Sequence, residues 1–290
     1  MSENRHALAL SRPEVDLAAW SLADRERRET QFDLLRDDFN LWFDFTLRHG
    51  GLATDPAAAT WRALDAGCGR GQYAYEIAAR YPRAAVTAYD VDAGSVAGAR
   101  AGEDAAGGGP RFLVHDGREP LPADVVGDGF DVVLAWLILL WVPDKAALLR
   151  SLAAAIRPGG VILLANLPDG FFQHPHPVAA RMFATGSEAL ARQGGFGVAD
   201  RLDADLRRAG FETIATVRPR FTVGGATAIG QRWWRHWLAS LEVARRAVVE
   251  VHGLMTGEEF DGNVRALSGQ SMIEQAGHFD HLYTVARRVH

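Results

Sequence analysis

A glycine-rich turn at residues 64–72, Leu-Asp-Ala-Gly-Cys-Gly-Arg-Gly-Gln, restricts the fold of this chain more than any other feature. It follows a short apolar strand and precedes a helical run that starts near Tyr73. Glycine at alternate positions permits positive φ and removes each Cβ, so a ligand can lie against the main chain and meet its N–H groups. The turn therefore predicts an α/β domain with a nucleotide-like ligand. An ordinary strand-to-helix turn is the alternative.

The spacing of the glycines separates the possible cofactor classes. A dinucleotide fold needs G-x-G-x-x-G, and Gln72 stands where its third glycine belongs. A phosphate-cradling loop needs Lys followed by Ser or Thr, and that pair is missing after the turn. What remains, an acidic residue followed by G-x-G-x-G, resembles the first motif of the class I S-adenosylmethionine-dependent methyltransferases.

A β-branched strand at residues 86–92 ends in acidic residues about 20 positions beyond the glycines, where an α/β nucleotide site places its ribose-binding carboxylate. The resemblance assigns that role to Asp90. We expect Asp92 to cap the helix that follows at residues 93–100, a role that Asp performs well.

Two later strands complete the resemblance. The strand at residues 111–117 runs into Asp116-Gly117, and in the family this acid receives the adenine amino group; a turn Asp before glycine is the alternative. The buried strand at residues 129–136 then leads past the reacting methyl group. A helix from Asp144 to Ile156 and the Pro-Gly-Gly before the strand at residues 161–165 are also similar to the family.

These landmarks alternate strands with helices, which predicts a parallel sheet with helices on both faces. The resemblance implies a Rossmann-like, seven-stranded, mostly parallel α/β sheet that binds S-adenosylmethionine at the carboxyl ends of its strands. It implies no metal. The residues expected to contact the cofactor are Gln31, Asp65, Gly67, Cys68, Gly69, Gly71, Asp90, Val91, Asp116, Gly117, Ala135 and Trp136.

Length and composition exclude several other classes. The chain has 290 residues, a formal net charge of −5 and one cysteine. Without a basic stripe we expect no nucleic-acid partner, and without a long apolar run no membrane span. A lone Cys68 excludes an internal disulfide or a cysteine cluster for a metal. No secretory signal opens the sequence, so we expect a cytoplasmic protein, with a homo-oligomer possible.

The sequence outside the sheet predicts two helical appendages. Apolar residues at helical spacing occupy residues 24–49, and the segment Glu26-x-Arg28-x-x-Gln31 resembles a cofactor-covering segment of small-molecule methyltransferases. A second helical stretch is rich in tryptophan, at residues 228–254. We predict an N-terminal helical cap (1–55), a methyltransferase core (56–223 and 281–290) and a helical insert (224–280), with cap and insert forming a lid. Aromatic stripes that belong only to the core are the alternative.

A proline-rich loop at residues 166–177 carries His174 and His176 beside two phenylalanines. In the family a loop at this place faces the substrate. Histidine can accept a proton near neutral pH, so we predict His174 as the catalytic base, with His176 second. The alternative is that both imidazoles cap backbone groups of the turn.

Absent motifs narrow the reaction. Residues 135–138 read Ala-Trp-Leu-Ile, which lacks both the Pro-Pro segment of the planar-nitrogen methyltransferases and the metal-binding aspartate of the catechol type. We therefore predict metal-independent O- or N-methylation of a small aromatic or amphipathic molecule. C-methylation or a methylation-linked cyclisation is the runner-up, and a non-catalytic binding or assembly module is the third possibility.

Overall fold

The computed structural model describes residues 22–101, 109–195 and 200–289. Its strands are β1 (Arg62–Ala66), β2 (Ala85–Asp90), β3 (Arg111–Val114), β4 (Phe130–Trp136), β5 (Ile156–Asn166), β6 (Phe172–Gln173), β7 (Phe211–Val217), β8 (Arg220–Gly224), β9 (Ala276–Asp280) and β10 (Leu282–Arg288). Its helices are α1 (Leu22–His49), α2 (Gln72–Arg80), α3 (Ala93–Arg100), α4 (Ala123–Val126), α5 (Lys145–Ala155), α6 (Pro177–Arg192), α7 (Leu202–Arg208), α8 (Ala228–Arg245), α9 (Gly257–Leu267) and α10 (Gln270–Ile273). A π-helical segment, Arg246–Val251, continues α8.

Seven of these strands form one sheet in the order β3-β2-β1-β4-β5-β10-β7. β1 pairs in parallel with β2 and β4, whereas β10 runs antiparallel between β5 and β7. The predicted seven-stranded, mostly parallel sheet is confirmed. Because β10 is antiparallel, its first residues meet the carboxyl ends of β4 and β5 at one edge.

Buried apolar side chains cover both faces of this sheet. On one face α1, α2, α3 and α8 pack against residues such as Leu163 and Val285. On the other face α4, α5 and α7 pack against residues such as Leu164 and Ala286. This alternation of side chains between the two clusters follows from the two-residue period of a strand.

Local helix signals also behave as predicted. The Asp92 carboxylate accepts hydrogen bonds from the N–H groups of Gly94 (3.2 Å) and Ser95 (2.9 Å) at the start of α3. The Asp144 carboxylate accepts from Ala147 N–H at 2.8 Å and so caps α5. Each cap satisfies backbone donors that have no partner inside the helix.

The insert differs from the prediction of helices alone. It includes β9, which pairs between β6 and β8 in a separate three-stranded sheet. The predicted core boundary at Val223 falls inside β8, and β7 and β8 belong to different sheets. In addition, β5 begins at Ile156 because a bulge beside β4 accommodates the Pro-Gly-Gly. The division into domains stays a prediction, and residues 1–21 of the predicted cap lie outside the described residues.

None of the helices in the described ranges is long and apolar enough to cross a membrane.

Candidate cofactor and acceptor site

The glycine turn lies at the carboxyl ends of β1 and β2. Gly67, Gly69 and Gly71 have φ of 73°, 55° and 81°, a backbone region that L side chains rarely adopt. The N–H groups of Gly67 and Cys68 both donate to the Tyr89 carbonyl at 2.8 Å. The turn is thus bound to the end of β2, and Cys68 is buried inside it.

Asp90 joins the two strand ends. Its Oδ2 accepts from Gly69 N–H at 2.7 Å, and its Oδ1 accepts from Asp92 N–H at 2.9 Å. A carboxylate offers about four lone-pair sites, so these two bonds leave capacity for ribose hydroxyls. The adjacent Val91 side chain is 57% exposed, which leaves it accessible to a planar base.

Asp65 is the buried acid at the base of the turn, with 1% of its surface exposed. Burial and, to a smaller extent, the charge of Asp90 raise its pKa to about 7, against the opposing effect of a hydrogen bond from Ala74 N–H. Its Oδ2 has no hydrogen-bond partner. A buried acceptor without a partner costs about 1–3 kcal/mol, so this atom suits a ligand that carries a hydrogen-bond donor or a positive charge.

The Arg28 side chain of α1 covers the glycine turn at Gly69. A Cβ built on Gly69 would lie 3.1 Å from its Nη1, so the guanidinium lies directly against the glycine backbone. Although burial raises the pKa of Asp92, hydrogen bonds from Ser95 and Gly94 and the charge of Arg28 hold it below its usual value. The sequence predicts Gln31 as a cofactor contact, and this residue lies about one turn further along α1 and is half-buried. Arg28 belongs to the same Glu-x-Arg-x-x-Gln segment, which could have identified it.

Asp116 already has a partner at the end of β3. The Arg118 guanidinium donates to both of its oxygens, with Nη2 2.5 Å from Oδ2, and Arg118 N–H donates at 3.0 Å. The hydrogen bonds from Arg118 lower the pKa of Asp116. At Gly117 a Cβ would lie 2.7 Å from the Tyr89 hydroxyl, which explains the glycine. Contact of Asp116 with adenine stays a prediction, and it requires sharing this carboxylate with Arg118.

The chain turns sharply after β4. Leu137 has φ of 60° and is the only non-glycine residue with positive φ in the described ranges. Its N–H donates to the Ala165 carbonyl at 2.8 Å. Ile138 then packs against the Cα of Gly67. Such strain persists where the surroundings hold it and is concentrated at functional sites.

Aromatic rings cluster over the end of β4 and the start of β10. Trp136, Ala165 and Tyr283 lie side by side across β4, β5 and β10, and the small Ala165 lets the two rings approach to 5.3 Å. Tyr73 of α2 and Phe39 of α1 lie 5.0 and 5.4 Å from Trp136. Ala135 is buried beneath Trp136 on the opposite face. These rings exclude water from the sheet edge.

The two predicted catalytic histidines both bind backbone groups. His174 Nδ1 accepts from His176 N–H at 3.1 Å, and His176 Nδ1 accepts from Val178 N–H at 3.3 Å at the start of α6. Burial lowers the pKa of His174, whose ring lies 5.0 Å from Trp234. His174 Nε2 is buried near the Gln275 backbone without a hydrogen bond of normal geometry. The capping alternative therefore describes both side chains, while the role of base stays a prediction.

The sequence missed a second group of buried polar side chains at the same edge. We call it the buried polar cluster, and it consists of Trp136, His236, Trp237, His281 and Tyr283. The indole N–H groups, the Tyr283 hydroxyl and both nitrogens of each histidine make no hydrogen bond of normal geometry. No motif marks these residues, because they converge only when β10 lies beside β5 and α8 covers the edge.

Among the described residues no group of three or more His, Cys, Asp or Glu side chains could hold a metal ion. The polar groups at this edge of the sheet suit an organic cofactor. They are the N–H groups of the glycine turn, the Asp65 carboxyl group with its unpartnered Oδ2, and the Asp90 carboxylate at the end of the next strand.

Residues 63–160 match the family model described as "Methyltransferase domain". This segment is a class I S-adenosylmethionine-dependent methyltransferase domain. S-adenosylmethionine is its cofactor, and the match runs from β1 into the bulged start of β5, including the glycine turn, Asp90 and Asp116.

Curated relatives support the domain over part of their length. The chain is 33% identical to a trans-aconitate 2-methyltransferase of Methylobacterium nodulans, over 45% of this chain and 47% of the relative. The enzyme of the same name from Methylobacterium radiotolerans is 33% identical over 55% of this chain and 58% of the relative. The chain thus matches about half the length of these curated relatives.

Solved structures with low sequence identity share the fold of the methyltransferase domain. A putative sarcosine dimethylglycine methyltransferase from Galdieria sulphuraria has a TM-score of 0.55 at 14% identity, covering 88% of this chain and 86% of that one. The [4+2]-cyclase SpnF has a TM-score of 0.52 at 20% identity, covering 84% and 79%. These likenesses concern the fold alone.

Proposed function

We propose that the protein transfers the methyl group of S-adenosylmethionine to a small-molecule acceptor. One observation carries the proposal: a positive-φ glycine turn whose Gly69 N–H is held by Asp90 and whose buried Asp65 Oδ2 lacks a partner. The cationic methionine end of S-adenosylmethionine can bind Asp65, and its ribose hydroxyls can donate to Asp90. The match to the "Methyltransferase domain" family model covers the same residues.

When bound, S-adenosylmethionine supplies a methyl group activated by a sulfonium. The chain's own contribution is to align the acceptor with that methyl and to exclude water, which together supply most of the acceleration of such a displacement. Gly69 and Arg28 hold the cofactor end of the site, and Trp136, Tyr73 and Tyr283 form an aromatic wall beside it.

The aromatic wall favours an aromatic or amphipathic acceptor that is methylated on oxygen or nitrogen. A hydroxyl acceptor has to lose a proton, and we propose His174 for this step because its Nε2 is the nitrogen not used for capping. His174→Ala should then leave cofactor binding intact and slow turnover more at low pH than at high pH. Normal turnover of this variant across pH would exclude His174 as the base.

A metabolite screen with S-adenosylmethionine carrying a CD3 group tests the function. We expect mass spectrometry to detect one or more products with the CD3 group, together with an equal amount of S-adenosylhomocysteine. A CD3 group on carbon, or on a newly closed ring, would indicate the runner-up, C-methylation or a methylation-linked cyclisation. Cofactor binding with no product of either kind would favour the non-catalytic module.

A further inference from the structure

The buried polar cluster is difficult to explain as protein interior. His281 and Tyr283 are fully buried, and their polar atoms make no hydrogen bond of normal geometry. His236 is 2% exposed and lies near the Arg27 backbone, also without a hydrogen bond of normal geometry. Native interiors leave few polar side-chain atoms in this condition, and each exception calls for an unseen partner. Several exceptions in one place therefore indicate a ligand site.

The position of the cluster relates it to methyl transfer. His281 and Tyr283 lie on the same face at the start of β10, with ring centroids 5.6 Å apart, and Tyr283 is 5.3 Å from Trp136 at the end of β4. His236 and Trp237 approach from α8, with their rings 5.2 Å apart, and Trp237 packs on Phe279 just before His281. The cluster therefore extends from the end of β4 away from the glycine turn, where an acceptor would lie.

The chemistry of the cluster is neutral. Burial lowers the pKa of His281 to about 3 and holds that of His236 well below its ordinary value. Charged side chains border it: Arg27 of α1 beside His236, Asp38 of α1 beside Tyr283, and Asp280, which precedes His281 and pairs with Arg220. Neutral imidazoles, a phenol and indole N–H groups can satisfy hydroxyl or carbonyl groups of a ligand, whereas buried carboxylates require paired cations.

We propose that His236, His281 and Tyr283, with the indole N–H groups of Trp136 and Trp237, form the acceptor subsite, and that it takes an uncharged, hydroxyl-bearing aromatic molecule. This inference rests on the proposed function. It separates the chain from relatives named for trans-aconitate, a tricarboxylate, because the five cluster side chains are uncharged and Arg27 beside His236 supplies one positive charge against three carboxylates.

Calorimetric titration of the protein loaded with S-adenosylhomocysteine tests the subsite. The probes are 2-naphthol, 7-hydroxycoumarin and quercetin as uncharged hydroxyl-bearing aromatics, and trans-aconitate as the tricarboxylate. We expect at least one aromatic probe to bind and trans-aconitate not to bind. Binding of trans-aconitate, or of none of the probes, would overturn the proposed substrate class.

Variants then test the residues. Tyr283→Phe and His281→Phe keep shape and remove polar atoms, so each should weaken the bound aromatic probe about tenfold or more while leaving S-adenosylhomocysteine affinity unchanged. His49→Phe, at the exposed end of α1, is the matched control and should change neither affinity. Full probe affinity in both cluster variants would overturn the assignment. Failure of S-adenosylhomocysteine to bind the wild-type protein would instead contradict the proposed function.

Discussion

Cofactor binding depends most directly on the backbone at Gly69. Ala at this position would combine positive φ with a Cβ only 3.1 Å from Arg28 Nη1. We expect Gly69→Ala to lose about 1–2 kcal/mol of stability from the left-handed backbone and to weaken S-adenosylmethionine binding at least tenfold. Denaturant unfolding and calorimetric titration measure the two effects.

Gly51 supplies the matched control for that variant. It has φ of 66°, and a Cβ built on it meets nothing within 4 Å. Gly51→Ala should lose similar stability and retain cofactor affinity. Equal affinities in the two variants would show that the close approach at Gly69 has no role in binding.

The raised pKa of Asp65 predicts two linked pH effects. The folded state holds its proton up to about pH 7 and the unfolded state only to about pH 4, so wild-type stability should fall as pH rises between these values, relative to Asp65→Asn. A cationic ligand favours the carboxylate, so S-adenosylmethionine binding near pH 6 should release a proton.

Calorimetry in buffers of different ionisation enthalpy measures that proton release. Wild-type protein should show a buffer-dependent binding enthalpy, and Asp65→Asn should not. Buffer-independent enthalpies in both proteins would remove Asp65 from the cofactor site.

At the residue scale the sequence predicted the features that depend on local backbone. It missed the features that arise when distant segments of the chain come together in the fold. The glycine turn, Asp90 beside it and the Asp92 cap follow from short spacings. His281 and Tyr283 could not be found in this way, because their significance arises from β10 lying beside β5. The Asp116 pair with Arg118 is local, yet a turn Asp before glycine gives no sign of which cation it will bind.

At the scale of elements, α1 and α8 meet over the ligand edge of the sheet. Arg232 of α8 lies 3.9 Å from Asp33 of α1, and Arg27 borders His236. An exposed ion pair contributes little to stability, so this pair adds little to the packing of α1 on α8. We propose that α1 and α8 form the lid over the acceptor.

Hydrogen exchange tests the lid. Amides of α1 and α8 should become protected when S-adenosylhomocysteine and a bound aromatic probe are both present, while α5 and α7 on the other face keep their rates. Unchanged exchange in α1 and α8 would contradict the lid.

The sequence predicted these elements unevenly for a physical reason. The long amphipathic helix α8 carries a strong period, whereas β6 and β9 are short strands rich in Gly, His and Phe. Strands of this length have weak patterns and depend on tertiary pairing. β5 extends through Pro-Gly-Gly only because a bulge removes the usual pairing requirement.

At the scale of the whole molecule, we expect the buried polar atoms without a partner to lower the stability of the fold while they serve ligand binding. Tyr283→Phe removes a buried hydroxyl without a partner, so we expect unchanged or higher stability, by up to about 1 kcal/mol. Tyr75→Phe is the matched control, since its hydroxyl donates to the Ala99 carbonyl at 2.6 Å and its loss should cost about 1 kcal/mol. Denaturant unfolding compares them. A comparable loss in Tyr283→Phe would mean that its hydroxyl is a structural hydrogen-bonding group.

The proposed methyl transfer depends above all on S-adenosylmethionine being held at the glycine turn. Isothermal titration of the wild-type protein with S-adenosylmethionine and with S-adenosylhomocysteine tests this directly. We predict saturable binding of both, with one site per chain. A folded protein that binds neither would contradict the central claim.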